Sequence, residues 1–151
     1  MTEIVIEPAT VAQAGALLPL VSRFYEEENY PFYEAHARRA LVGLLEEPSR
    51  GRVWIVTDQE RVVGYFVMTL GWSLEYLGRD AFVDELYVLP EYRGRGLGKR
   101  ALAVMDDACR ELGVRALHLE VERGNERAHQ LYRNLGFEDH ERFLMTKRIA
   151  P

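Results

Sequence analysis

The segment Tyr92-Arg-Gly-Arg-Gly-Leu-Gly-Lys-Arg100 places three glycines at alternate positions among four basic side chains. It follows an apolar run, Phe82 to Leu89, that ends at Pro90, and it opens an amphipathic stretch in which Leu97, Ala101, Val104, Met105, Ala108 and Leu112 recur at close to a helical period. Glycines let a backbone approach an anion closely. The unpaired N–H groups and dipole of a helix start draw negative charge to the same point, and Lys99 and Arg100 lie beside it. The chemistry is recognition of a phosphate or pyrophosphate. Spacing narrows it. A Walker A loop needs GxxxxGK[ST], but Gly94 to Gly98 is one residue short and Arg100 stands at the hydroxyl position. The dinucleotide fingerprint GxGxxG fails at Lys99. The pattern [RQ]xxGx[GA] is met by Arg93, Gly96 and Gly98.

Two carboxylates, Asp84 and Glu85, lie on the strand leading to this turn. A carboxylate can accept a proton from an incoming nucleophile. Adjacent strand residues point to opposite faces, so alternation predicts that only one of them faces the chemistry. The alternative is that both are ordinary polar residues at a sheet surface. Downstream, Asn125 can cap a short helix carrying Ala128, Leu131, Tyr132 and Leu135. Tyr132 follows Asn125 by seven residues, two helical turns, so both can face one ligand. Core packing of Tyr132 with Leu131 and Leu135 is the alternative. The sole cysteine, Cys109, lies on the apolar side of the long helix and reads as a buried thiol. His36, His118, His129 and His140 show no metal-ligand spacing, so no metal site is expected.

The run Asp84-Glu-Leu-Tyr-Val-Leu-Pro-Glu-Tyr-Arg-Gly-Arg-Gly-Leu-Gly98 resembles the central acetyl-CoA motif of the GNAT superfamily of N-acetyltransferases. Asn125-Glu-Arg-Ala-His-Gln-Leu-Tyr-Arg-Asn-Leu-Gly-Phe137 resembles that superfamily's second motif. The resemblance runs from about Val53 to the C-terminus, and more weakly over the helices before it. It implies acetyl-CoA as cosubstrate and direct attack by a primary amine on the acetyl carbonyl. It places the cofactor against Leu86, Tyr87 and Val88, against Arg93, Gly94, Arg95, Gly96, Leu97, Gly98 and Lys99, and against Asn125 and Ala128. It implies Tyr132 as proton donor to the departing sulfur and Asp84, with Glu85 second, as base. It also implies a bulge that splays two strands near the acetyl site. A homodimer is the default assembly the family suggests. The first reading of the acceptor is an amine of a small molecule. A protein or peptide amine, or a non-catalytic acyl-CoA sensor, are the competing readings.

The elements that must hold these groups follow from patterning. Ile4 to Glu7 reads as a strand. Thr10 opens a helix that Pro19 should kink or interrupt, and Tyr33 to Glu47 reads as a second helix ending before Pro48. Val53 to Thr57 and Val62 to Leu70 read as a hairpin around Asp58-Gln59-Glu60. Ala116 to Glu122 alternates, and Phe143 to Ile149 is a candidate last strand. The expectation is a mixed α/β fold, one domain over 1–151, with a mostly antiparallel sheet of about six or seven strands and about four helices.

Among 151 residues, 48% are hydrophobic and the net charge is −5, which suits a soluble, cytoplasmic protein and excludes bulk attraction to nucleic acid. No leader-like N-terminus or membrane-length apolar run is evident. Glu26-Glu27-Glu28 with Tyr30, Phe32 and Tyr33, and Trp72, Glu75, Tyr76 and Asp80, read as an acidic, aromatic surround for a cationic amine.

Overall fold

A computed structural model describes residues 3–150. The chain divides into two compact units, one reaching to Leu119 and one starting at Glu120. In the first, five strands form one sheet in sequential order: β1 (Ile4–Pro8), β2 (Gly51–Asp58), β3 (Arg61–Ser73), β4 (Gly78–Val88) and β5 (Ala116–His118). The pairings β1–β2, β2–β3 and β3–β4 are antiparallel, and β4–β5 is parallel. The helices α1 (Ala14–Glu27) and α2 (Glu34–Glu46) precede β2, and α3 (Leu97–Leu112) connects β4 to β5. In the second unit, α4 (Glu126–Asn134) is the one helix among the described residues.

Register assigns the faces. Tyr65 pairs with Tyr87 and Val67 with Glu85, so these four share a face, and contacts from Phe24 and Tyr25 place α1 on it. Phe66, Met68 and Leu70 point the other way, where Cys109 of α3 meets the Met68 sulfur at 3.6 Å. The sheet is therefore covered on both faces, and Val63, Tyr65, Phe66 and Met68 on β3 are at most 1% exposed.

Helix α1 runs through Pro19 without a break in assignment. Proline in a helix interior costs about 3 kcal/mol. The same helix buries Leu17, Leu18, Leu20 and Val21, each worth about 1.5–3 kcal/mol. Burial on both sides of the proline outweighs the lost bond.

The described sheet has five strands, against the six or seven expected. Ala116–Glu122 narrows to Ala116–His118 because β4 offers β5 only Asp80, Ala81 and Phe82 before its ladder is disrupted. Phe143–Ile149 forms no strand; Phe143, Leu144 and Met145 are consecutive apolar residues rather than alternating ones, and all three are exposed. The β3–β4 hairpin is longer than patterning shows, extending to Ser73 and resuming at Gly78.

Candidate active site

At the end of β4, Pro90–Tyr92 makes one 3-10 turn and the chain enters the glycine segment. Gly94 and Gly96 have φ of 76° and 78°, left-handed values that a side chain resists, and Gly96 is the N-cap of α3. The Arg100 N–H bonds the Gly96 carbonyl at 3.0 Å. The N–H groups of Leu97, Gly98 and Lys99, at the first three helical positions, therefore have no partner within the helix. A Cβ built on Gly94, Gly96 or Gly98 would meet nothing within 4 Å, so the space over the turn is open. An open, N–H-lined helix start fits a pyrophosphate.

The basic side chains are mostly committed elsewhere. Arg95 donates to the Glu91 carbonyl and lies 4.8 Å over the Tyr92 ring. Arg100 reaches away to the Ile4 carbonyl at 3.1 Å. Arg93 donates to the Val88 carbonyl at 2.9 Å and to Glu27 Oε1 at 2.9 Å, with its guanidinium 5.4 Å from the Tyr87 ring centre. Backbone groups rather than side chains thus dominate the anion-facing surface.

The carboxylates meet at a β-bulge. Val67 pairs with Glu85 and Met68 with Val83, leaving Asp84 as the extra residue on β4. A bulge suspends the two-residue alternation. Strict alternation therefore does not assign the faces of Asp84 and Glu85 here; the Asp84 charge lies close enough to push up the pKa of Glu85, Tyr25 and Tyr65. Past Phe82, no described strand pairs with the β5-facing edge of β4, so from the bulge to Val88 that edge is unpaired within the described sheet. On the other edge Leu86, Tyr87 and Val88 pair with Phe66, Tyr65 and Gly64.

Glu85 is held by two tyrosines. Tyr25 donates to its Oε2 at 2.6 Å and Tyr65 to its Oε1 at 2.7 Å. Burial pushes the Glu85 pKa above the usual carboxylate value, the two hydroxyl bonds pull it down, and Asp84 pushes it up. No described residue donates a hydrogen bond to Asp84. Its residue surface is exposed, yet neighbouring protein desolvates the carboxyl enough to raise its pKa.

In the second unit, Asn125 Oδ1 accepts the Ala128 N–H at 3.1 Å, so these two residues form the α4 cap. Tyr132 is half-buried, edge-on to Phe137 with ring centres 6.0 Å apart, while Leu135 is 38% exposed. Burial raises the Tyr132 pKa and keeps its proton on at neutral pH. Arg133 and His129 both bind Asp139, which ties α4 to the chain after it and lowers the Asp139 pKa to about 2.

Sequence reasoning missed Tyr25, Tyr65 and Glu27 as partners of the site. Each meets its partner across 20 to 66 residues, a separation that leaves no local signal. Of the acidic surround, Glu27 accepts from Tyr87 and Arg93. Asp80 bonds His118 at 3.1 Å, Tyr76 packs on the His118 ring, and Trp72 is 75% exposed. Among the described residues no group of three metal-ligating side chains occurs, and no helix is long and apolar enough to cross a membrane.

Residues 17–137 match the model of the acetyltransferase (GNAT) family. The chain belongs to that family. Among curated GNAT-type relatives, it is 30% identical over 105 residues to the uncharacterized N-acetyltransferase YycN of Bacillus subtilis (strain 168), covering 70% of this chain and 65% of that one. It is 36% identical over 78 residues to a thialysine N-epsilon-acetyltransferase of Bos taurus, covering 52% of this chain and 45% of that one. The chain thus spans under two thirds of the length of either relative. The crystal structure of integron cassette protein HFX_CASS3, from the mobile metagenome of Cole Harbour Salt Marsh, superposes with a TM-score of 0.86 at 38% identity, over 97% of this chain and 91% of that one. An aminoglycoside N-acetyltransferase solved with CoA shares the fold at a TM-score of 0.83 and 15% identity, over 99% of this chain and 97% of that one. GNAT acetyltransferases use acetyl-CoA as cosubstrate, and the open, N–H-lined turn fits its pyrophosphate.

Proposed function

We propose that residues 1–151 act as one N-acetyltransferase domain that moves the acetyl group of acetyl-CoA directly to a primary amine of a small, cationic molecule. The observation that carries this reading is that two desolvated carboxylates and an anion-receiving turn are joined by one open-edged stretch of β4. The N–H groups of residues 94–99 would hold the pyrophosphate. The free edge of Leu86, Tyr87 and Val88 would take the pantetheine arm in the manner of an added strand; the family resemblance assigns Asn125 and Ala128 to the cofactor as well.

The acceptor arrives as an ammonium with a pKa of about 10 and must lose a proton before it can attack. Asp84 takes that proton, directly or through a water, because its carboxyl carries no competing hydrogen bond and its raised pKa makes it a better base. Glu85, fixed by Tyr25 and Tyr65, supplies a second negative charge that draws the ammonium in. The nitrogen forms its bond to the acetyl carbon, the carbon–sulfur bond breaks, and Tyr132 gives its proton to the leaving thiolate; the second proton shed by the acylated nitrogen restores the tyrosine through water, and the proton on Asp84 passes to solvent.

Two observations favour a small cationic acceptor. The carboxylates lie beside Phe24, Tyr25, Tyr30, Phe32 and Tyr87, which pack ring against ring near the end of α1. The bovine relative acts on thialysine by its name, a compound with an aliphatic amine. The test is release of free CoA thiol from acetyl-CoA across polyamines, lysine-like amino acids, aminoglycosides and peptides. Diamines should lead. A clear preference for neutral or anionic amines removes the cationic reading, and absence of turnover with every amine removes the transferase reading.

A further inference from the structure

Helix α1 ends in Glu26-Glu27-Glu28, with no basic residue in its last turn. A helix C-terminus already carries partial negative charge, so carboxylates there are unfavourable unless a cation from elsewhere compensates. Arg93 supplies it. Its guanidinium bonds Glu27 at 2.9 Å, lies over the Tyr87 ring and bonds the Val88 carbonyl, while the Tyr87 hydroxyl donates to the same Glu27. Arg93 is also the residue from which the chain turns into Gly94, and its own N–H closes the preceding turn on Pro90. One carboxylate on the acceptor-side helix therefore fixes both the strand that would carry the pantetheine and the first residue of the pyrophosphate turn.

We propose that Glu27 is a cofactor-positioning residue: it holds Arg93, and through Arg93 the entry to the glycine turn, in the conformation that receives acetyl-CoA. This rests on the acetyl-CoA reading of the turn. It takes Glu27 out of the acidic surround that attracts the amine, because both of its oxygens are engaged by Arg93 and Tyr87. The pair is not a stability device. The Arg93 and Glu27 side chains are 48% and 37% exposed, and ion pairs so placed contribute little to folding. The effect belongs in binding.

The test is a double-mutant cycle of Glu27→Gln and Arg93→Lys in the full chain, read by acetyl-CoA calorimetry, amine KM and melting temperature. Glu27→Gln keeps an acceptor for Tyr87 but removes the charge. Arg93→Lys keeps the charge but loses the planar fork. Each should raise the acetyl-CoA Kd about fivefold to tenfold, with amine KM and melting temperature unchanged. The double variant should be no worse than the poorer single one, since both changes break the same contact. A rise in amine KM at fixed acetyl-CoA Kd would return Glu27 to the acceptor site and overturn the proposal. So would tighter acetyl-CoA binding by Glu27→Gln, additive losses in the double variant, or no change in either ligand. If the unaltered protein gives no acetyl-CoA binding, the reading of the turn falls first and this proposal with it. If it binds and Glu27→Gln binds equally well, only this proposal falls.

Discussion

Tyr25 on α1 donates a 2.6 Å hydrogen bond to Glu85 on β4, and two residues further along each element the arrangement recurs in reverse, with Tyr87 on β4 donating to Glu27 on α1. The two bonds lash the C-terminal end of α1 to the strand that carries the carboxylates. Each leaves an acidic group desolvated or charge-compensated, at the cost of a tyrosine that cannot ionise. Burial and the Glu27 bond push the Tyr87 hydroxyl up to about 12.

Removing one of the two hydroxyls on Glu85 should therefore move its titration. Both tyrosine bonds lower the Glu85 pKa against burial. Tyr65→Phe deletes one lowering contact, so the carboxyl holds its proton to higher pH. If activity needs Asp84 and Glu85 both ionised, the acidic limb of the kcat/KM profile shifts to higher pH. Folding should weaken by about 1 kcal/mol for the lost buried bond. A superimposable pH profile would mean that Glu85 does not titrate in the limb.

Asp84→Asn should change stability and activity in opposite directions. Burial raises the Asp84 pKa, so the folded state prefers its protonated form. A carboxyl of this kind contributes most below its unfolded value of about 3.8, and that contribution fades as pH rises through the folded pKa. The neutral amide escapes the penalty. Asp84→Asn should melt higher than the parent near neutral pH and equally near pH 3.5, while kcat/KM falls about 10²-fold. Thermal melts at both pH values with parallel kinetics decide it, and a lower melting temperature at neutral pH contradicts the desolvation argument.

Gly98→Asp separates the turn's ligand from its fold. Gly98 sits at the second position of α3 without a left-handed φ, and a Cβ there meets nothing within 4 Å. A carboxylate in the first helical turn adds about 0.3–1 kcal/mol through the helix dipole. It also places negative charge where pyrophosphate would lie. The variant should melt no lower than the parent yet lose acetyl-CoA affinity by at least about tenfold, or 1.4 kcal/mol. Undiminished affinity in calorimetry would dismiss the turn as the pyrophosphate site.

Tyr132→Phe keeps the ring against Phe137 and removes only the hydroxyl. If Tyr132 protonates the departing sulfur, kcat drops about 10²-fold while the acetyl-CoA Kd stays put, because that proton is needed only as the bond breaks. Full kcat with chemistry shown to be rate-limiting assigns the tyrosine to packing alone.

The parts of this molecule legible in the sequence are those governed by neighbours along the chain. Gly96 opening α3, Asn125 capping α4, and the turn at Asp58-Gln59-Glu60 each follow from a few consecutive residues, and each is present. What was illegible depends on distant partners. Nothing in Phe82-Val-Asp-Glu-Leu86 marks Asp84 as the extra residue, because a bulge is defined by register against β3. Pro19 by itself reads as a kink or interruption, and the burial of Leu17, Leu18, Leu20 and Val21 that offsets it is set by partners on other elements. The catalytic roles proposed for Asp84, Glu85 and Tyr132 draw on the family resemblance, while the tyrosine clamp on Glu85 joins residues 60 and 20 positions apart and leaves no mark in the local sequence.

The burial of Cys109 has a practical consequence at the bench. The thiol is 5% exposed on α3 against Met68, and burial pushes its pKa up to about 11. The thiolate is the form that attacks a thiol reagent, so the folded protein's sole cysteine is nearly inert toward such reagents at neutral pH. Colour developed in an acyl-transfer assay with a disulfide reagent then counts the CoA released and almost nothing of the protein. The same reagent added during heating becomes a reporter of unfolding, since Cys109 reacts only once α3 lifts from the sheet.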